Sequence, residues 1–252
     1  MLEILLKDRT TGRNIIWANA EHGKQEITAA DVKLIRPRWQ KLREQQRQRT
    51  KDRAEIFTPP EVCQIQNELI DADERDWQAY VDARFLEITC GEAPYLVSRY
   101  NAVTGKAIDL PKRVGLLDKK LRVVGMQTKT LLDWTRWAIR AVKSVYGYEF
   151  QGDNLFLARR NVFETFKDYY AEKFYRKPPE DILREVAEVI SWNLFQMDGL
   201  TNTIPFANTN PQGTLNFYDE PQEPQGEIFC KIMDWGKDKT VTFKDLMGGG
   251  RR

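Results

Sequence analysis

Three short apolar runs in this chain each arrive at an acidic residue or a glycine turn, with helix-forming sequence between them. The first is Phe85-Leu86-Glu87-Ile88, which stops at Thr89-Cys90-Gly91. The second, SVYGYEF at 144–150, closes beside Glu149, and the third, NLFQ at 193–196, leads to Asp198. Between the first two, 114–146 places Leu131, Trp134, Ala138 and Val142 on one helical face. Between the second and third, apolar residues recur at Leu155, Ala158, Val162, Phe166 and Tyr169, again at helical spacing. This alternation predicts an α/β fold in which helices cover a parallel sheet. Ligands bind such sheets outside the carboxyl ends of the strands. One acid there would mean little; three arriving at one edge form a functional signal.

The rest of the chain is organised around that alternation. Residues 1–33 read as two short extended pieces, the second around 14–18, with a helix start at Thr28. From Arg36 to Arg53, eight basic residues (Arg36, Arg38, Lys41, Arg43, Arg47, Arg49, Lys51, Arg53) face two acidic ones. The segment is helix-prone after Pro37 and has little to bury, so it is either a solvated helix or a contact for phosphates. Val62, Ile65, Leu69 and Ile70 predict a helix from Glu61, and a further helix is expected through LVSRYN at 96–101. A Pro-, Gly- and Asn-rich loop spans 201–227, and IFCKIMDW at 228–235 reads as a fourth strand.

Composition narrows the function classes. A chain of 252 residues that is 41% hydrophobic can bury a core as one large domain, or one domain with an appendage. Net charge is +2, so any basic contact surface must be local. The odd set Cys63, Cys90 and Cys230 with the single histidine His22 predicts neither a zinc site nor a disulfide framework, and fits a reducing compartment. No secretory signal or membrane-spanning run is read, so the expectation is a soluble, cytoplasmic protein without metal or membrane.

A carboxylate at the end of the second strand can take both hydroxyls of a ribose. One after the third strand can accept from an adenine amine, and a glycine turn after the first lets a cofactor approach the backbone. Neither G-x-G-x-x-G nor a Walker A sequence occurs, so NAD and ATP are disfavoured.

At these residues the chain resembles a family. FTPPEV at 57–62, LEITCGEAPYL at 86–96, YGYEFQGDNLFLARRN at 146–161 and NLFQMDGL at 193–200 look like successive motifs of S-adenosylmethionine-dependent DNA methyltransferases. The likeness is to adenine-N6 modification subunits of restriction–modification systems. It implies a Rossmann-like methyltransferase sheet, incomplete toward the C-terminus, over 57–252, with 1–56 as a small N-terminal extension bearing the basic helix. Phe57, Thr58 and Pro59 would line the methionine end of S-adenosylmethionine. Glu87, Thr89, Cys90 and Gly91 would form the turn around it, Glu149 would hold the ribose and Asp198 the adenine amine. DNA would be the partner, contacted by Arg36, Arg38, Lys41, Arg43, Arg47 and Arg49, with a second restriction–modification subunit as a further candidate.

The family's (Asn/Asp/Ser)-Pro-Pro-aromatic tetrapeptide, which holds the target amine and stacks on the flipped base, is not found. Met233-Asp234-Trp235-Gly236 stands nearest to its place, making Asp234 and Trp235 the candidate catalytic pair. A plain strand end with a buried Trp is the alternative. Three functions stay open: a DNA adenine-N6 methyltransferase, dependent or not on a partner subunit; a catalytically inactive methyltransferase-fold protein that binds DNA or regulates; and, against the FTP-first motif order, methylation of RNA or a small molecule.

Overall fold

The structure, a computed structural model, describes residues 1–53, 58–70, 76–207 and 227–248. Its centre is a three-stranded parallel sheet of β1 (Phe85–Glu87), β2 (Val145–Glu149) and β3 (Leu194–Gln196), in that spatial order. Leu86 lies opposite Tyr146 and Tyr148 opposite Phe195. The expected α/β class with parallel strands is therefore present.

Helices supply the crossovers. Ahead of β1 lie α1 (Leu2–Leu6), α2 (Arg43–Arg53), α3 (Pro60–Glu68) and α4 (Trp77–Asp82). From β1 the chain returns through α5 (Leu116–Gln127) and α6 (Leu131–Lys143), and from β2 through α7 (Gly152–Phe174) and α8 (Glu180–Asn193). Thr130 caps α6 by accepting from the Asp133 amide, which satisfies one of the free N–H groups of the first turn. The expected stripes go inward: Trp134, Ala138 and Val142 of α6, and Leu155, Ala158, Val162, Phe166 and Tyr169 of α7, are all buried. Pro178-Pro179 stops any continuation from α7 and opens α8.

Several expectations are corrected. Residues 2–6 are helical, not extended, and 96–101 is turn and bridge rather than helix, its buried Ser98 hydroxyl accepting from the Val114 amide. Helix α3 forms, but Val62, Ile65 and Leu69 face outward; Cys63 and Asn67 are its buried residues. The fourth strand, β4 (Lys231–Asp234), does not join the parallel sheet. It pairs antiparallel with β5 (Lys239–Thr242), which leads into α9 (Phe243–Gly248). Only Trp235 to Asp238 separate the two strands, and so short a link makes a hairpin, whereas a parallel partner needs a long crossover. Phe195 and Met197 pack with Cys230, Ile232 and Phe243 in a second cluster on this side of the sheet.

The first 35 residues are part of the main core. Leu5, Leu6, Ile15, Trp17, Ile27 and Ile35 belong to the same hydrophobic cluster as the α5–α8 helices. Arg159, fully buried in α7, ties them in. Its guanidinium donates to the carbonyl oxygens of Leu194 (2.8 Å), Leu5 (2.7 Å), Lys7 (2.9 Å) and Ser191 (3.2 Å). Gln196 also bridges to the backbone of Ile16, accepting from its N–H and donating to its carbonyl. A boundary at 56/57 thus does not divide the core.

Candidate functional site

Beyond the carboxyl ends of the parallel strands lies a cavity of about 1110 Å³. Glu87, Thr89, Cys90 and Gly91 from the β1 exit, Glu149 from β2 and Asp198 from beyond β3 all line it, together with Thr58. Three acids separated by 111 residues of sequence, from 87 to 198, therefore share one hollow. Pro59 precedes α3 as its N-cap residue and does not line the cavity, and Phe57 lies outside the described residues.

The wall of the cavity is tightly built. Thr89, Gly91 and Ala93 all have positive φ, which folds the chain sharply after β1; for Thr89 and Ala93 this is strained backbone of the kind that collects at functional sites. The turn is held by Glu149, whose Oε2 accepts from the Gly91 amide at 2.8 Å and whose Oε1 accepts from the Gln151 amide at 3.0 Å. One carboxylate thus links the β1 exit to the start of α7. Glu87 accepts from the amides of Tyr95 and Leu96, both at 3.2 Å. Burial pushes its carboxyl up to about 8, with the neighbouring Glu149 charge adding to the rise and the two amide bonds opposing it. Asp198 is half-buried and its Oδ1 accepts from the Leu200 amide.

Behind the turn, Cys90 packs on Gly147, where a methyl group would come within 3.1 Å of the Cys90 sulfur. Burial raises the Cys63 thiol to about 12 and the Cys90 thiol far above its ordinary value. These are packed thiols, not nucleophiles. Among the described residues no group of three His, Cys, Asp or Glu is placed to hold a metal ion, and no helix is long and apolar enough to cross a membrane.

The basic segment splits in two. Lys41 and Arg49 point inward to Asp153, at 3.1 and 3.0 Å, and Asp153 is buried at the first turn of α7. Burial alone would raise the Asp153 carboxyl, but Lys41 and Arg49 together hold it below the usual carboxylate range. Arg38 is anchored by its backbone amide, which donates to Glu92 at 2.7 Å. Arg36, Arg43 and Arg47 are exposed. Arg43, Arg47 and Lys51 recur every fourth residue along α2, and with Arg38 they line a shallow basic hollow of about 530 Å³. Lys51 also lines the large cavity, so the two surfaces meet there.

Asp234 and Trp235 are elsewhere. Asp234 pairs with Arg84, which precedes β1, at 3.1 Å. The Trp235 indole N–H donates at 2.7 Å to Asn193, which precedes β3, and Asn193 in turn donates to Val145 at the start of β2. Both residues therefore stand at the amino edge of the sheet, opposite the cavity, and not beside the acids with which they were expected to share a site. The antiparallel turn of the chain into β5 carries them there.

Sequence reasoning missed Gln151, Asn154 and Tyr95, which also line the cavity. The signal for Gln151 was its place two residues past a strand-ending acid and just ahead of a long helix. Compared with protein-family models, with curated proteins and with solved structures, the chain gives no match.

Proposed function

We propose that this chain binds S-adenosylmethionine in the cavity at the carboxyl edge and serves DNA adenine-N6 methylation, as part of a restriction–modification system. The observation that carries the reading is the convergence of Glu87, Glu149, Asp198 and the Thr89–Gly91 turn on one hollow. Its volume suits a nucleoside with an amino-acid tail. Its lining suits the charge as well: Glu87, Glu149 and Asp198 face it, and Lys51 is the one basic lining residue among those described. Such a site favours a donor-rich, cationic ligand over a phosphate-bearing one.

In this reading Glu149 accepts from ribose hydroxyls while keeping the turn in place, and Asp198 accepts from the adenine amine. Gly91, without a side chain, lets the ligand approach the backbone, and Thr58 faces the methionine end. The bound cofactor supplies an electrophilic methyl group carried on a sulfonium. The exposed Arg43, Arg47 and Lys51 follow a nucleic-acid backbone toward the cavity rim.

The position of Asp234 and Trp235 at the opposite edge favours a second form of the proposal. Here the chain is a cofactor-binding or regulatory subunit, and a partner subunit supplies the groups that hold the target amine. The test is calorimetric titration with S-adenosylmethionine, followed by transfer of labelled methyl to DNA with and without a co-purified partner. Binding with labelling in either case supports methylation; binding without labelling supports the regulatory form. Absence of binding removes the proposal.

A further inference from the structure

We propose that the Gln151 carboxamide is the group that reads the adenine ring in this cavity. The inference rests on the adenosyl reading above. Gln151 is held by its own backbone, since its amide donates to Glu149 Oε1 at 3.0 Å. The residue is only 4% exposed and is among those lining the cavity, and its side-chain oxygen, Oε1, is enclosed without a hydrogen-bond partner, so the carboxamide must turn to present both its groups to a ligand. It occupies the N-cap position of α7 without capping it; the Asn154 amide is taken by Asp153 Oδ1 at 2.9 Å instead. No duty within the fold uses this amide among the described residues. A buried acceptor left unmade costs stability, so a ligand that satisfies it explains its presence.

The chemistry of the group narrows the ligand. Glu149 and Asp198 offer acceptors, which recognise hydroxyls and amines wherever they occur. A carboxamide presents an acceptor and a donor side by side, the pattern that pairs bidentately with the amine of adenine and an adjacent ring nitrogen. Gln151 takes one amine hydrogen and leaves the other for Asp198. On the edge formed by the amine and N7, hypoxanthine presents two acceptors, its carbonyl and N7, and offers Oε1 no donor.

The test uses the full-length protein, with adenosine, inosine and S-adenosylmethionine titrated in parallel into wild type and Gln151→Met, a substitution of similar volume without hydrogen-bonding groups. Wild type is expected to prefer adenosine over inosine by roughly tenfold or more. In Gln151→Met that preference collapses toward one, through weaker adenosine binding, while thermal stability is unchanged or raised because an unsatisfied polar group has gone. A merely structural Gln151 would instead lower stability and leave the ratio alone; either result overturns the inference. Tight S-adenosylmethionine binding that Gln151→Met leaves intact overturns it without touching the cofactor reading. Discrimination between adenosine and inosine without S-adenosylmethionine binding supports it and removes the sulfonium cofactor. Binding of none of the three by wild type overturns both.

Discussion

Glu87 sits where two demands oppose each other: its two amide hydrogen bonds favour the carboxylate, and its burial favours the acid. Burial wins, and the carboxyl titrates near 8 rather than 4.5. Between those values the native state keeps a proton that the unfolded chain has released. The contribution of Glu87 to stability is therefore full below the unfolded value and is lost as pH rises toward 8, with a slope of at most about 1.4 kcal/mol per pH unit. Denaturant unfolding at pH 5, 6.5 and 8 should show wild type losing stability relative to Glu87→Gln across that window. Parallel curves would mean that Glu87 titrates normally. The acids Glu87, Glu149 and Asp198 were legible because strand ends are marked locally, by an apolar run and a turn. Gln151 was not, since an unmade hydrogen bond is a property of the surrounding fold. The edge at which Asp234 stands was hidden for a related reason: a residue after a strand looks the same in sequence at either edge of a sheet.

At the scale of elements, α2 has almost nothing apolar to bury and is held instead by the Lys41 and Arg49 contacts to buried Asp153. Removing the shared carboxylate with Asp153→Asn should cost about 2–3 kcal/mol. That is below the usual figure for a broken buried pair, because both cations can turn to water. Hydrogen exchange over 43–53 should accelerate selectively; protection equal to wild type would show that the clamp does not hold the helix. The outward residues behave differently. Arg43→Gln with Arg47→Gln should change stability by less than about 0.5 kcal/mol. It should also weaken binding to a DNA duplex and reduce the salt slope by about one unit per charge removed. An unchanged slope would exclude phosphate contact by α2. The sequence showed that this segment was basic and helical. It could not show which cations were committed inward, because Asp153 lies 112 residues from Lys41. Helices α6 and α7 were readable from their stripes alone, whereas α3 turned Val62, Ile65 and Leu69 outward because the Asn67 side chain is needed inside, donating to the carbonyls of Tyr95 and Val114.

Across the whole molecule, the N-terminal segment, the parallel sheet and the hairpin depend on one another, and Arg159 is where the first two join. Its planar donors serve four carbonyl oxygens from two stretches of chain, 5–7 and 191–194. Arg159→Met should lower unfolding stability by about 3 kcal/mol or more, and Arg159→Lys should rescue little of it, since an ammonium cannot reproduce the fork. Full rescue by Lys would show that charge, not geometry, secures the N-terminal segment. That integrated frame is what brings acids from distant positions to one edge of the sheet, where the proposed ligand would lie among them. The most direct measurement is a crystal structure grown with S-adenosylmethionine. An adenosyl group is expected in the cavity, with its ribose at Glu149 and its base between Asp198 and Gln151. An empty cavity at saturating cofactor, or a ligand seated away from these residues, would contradict it.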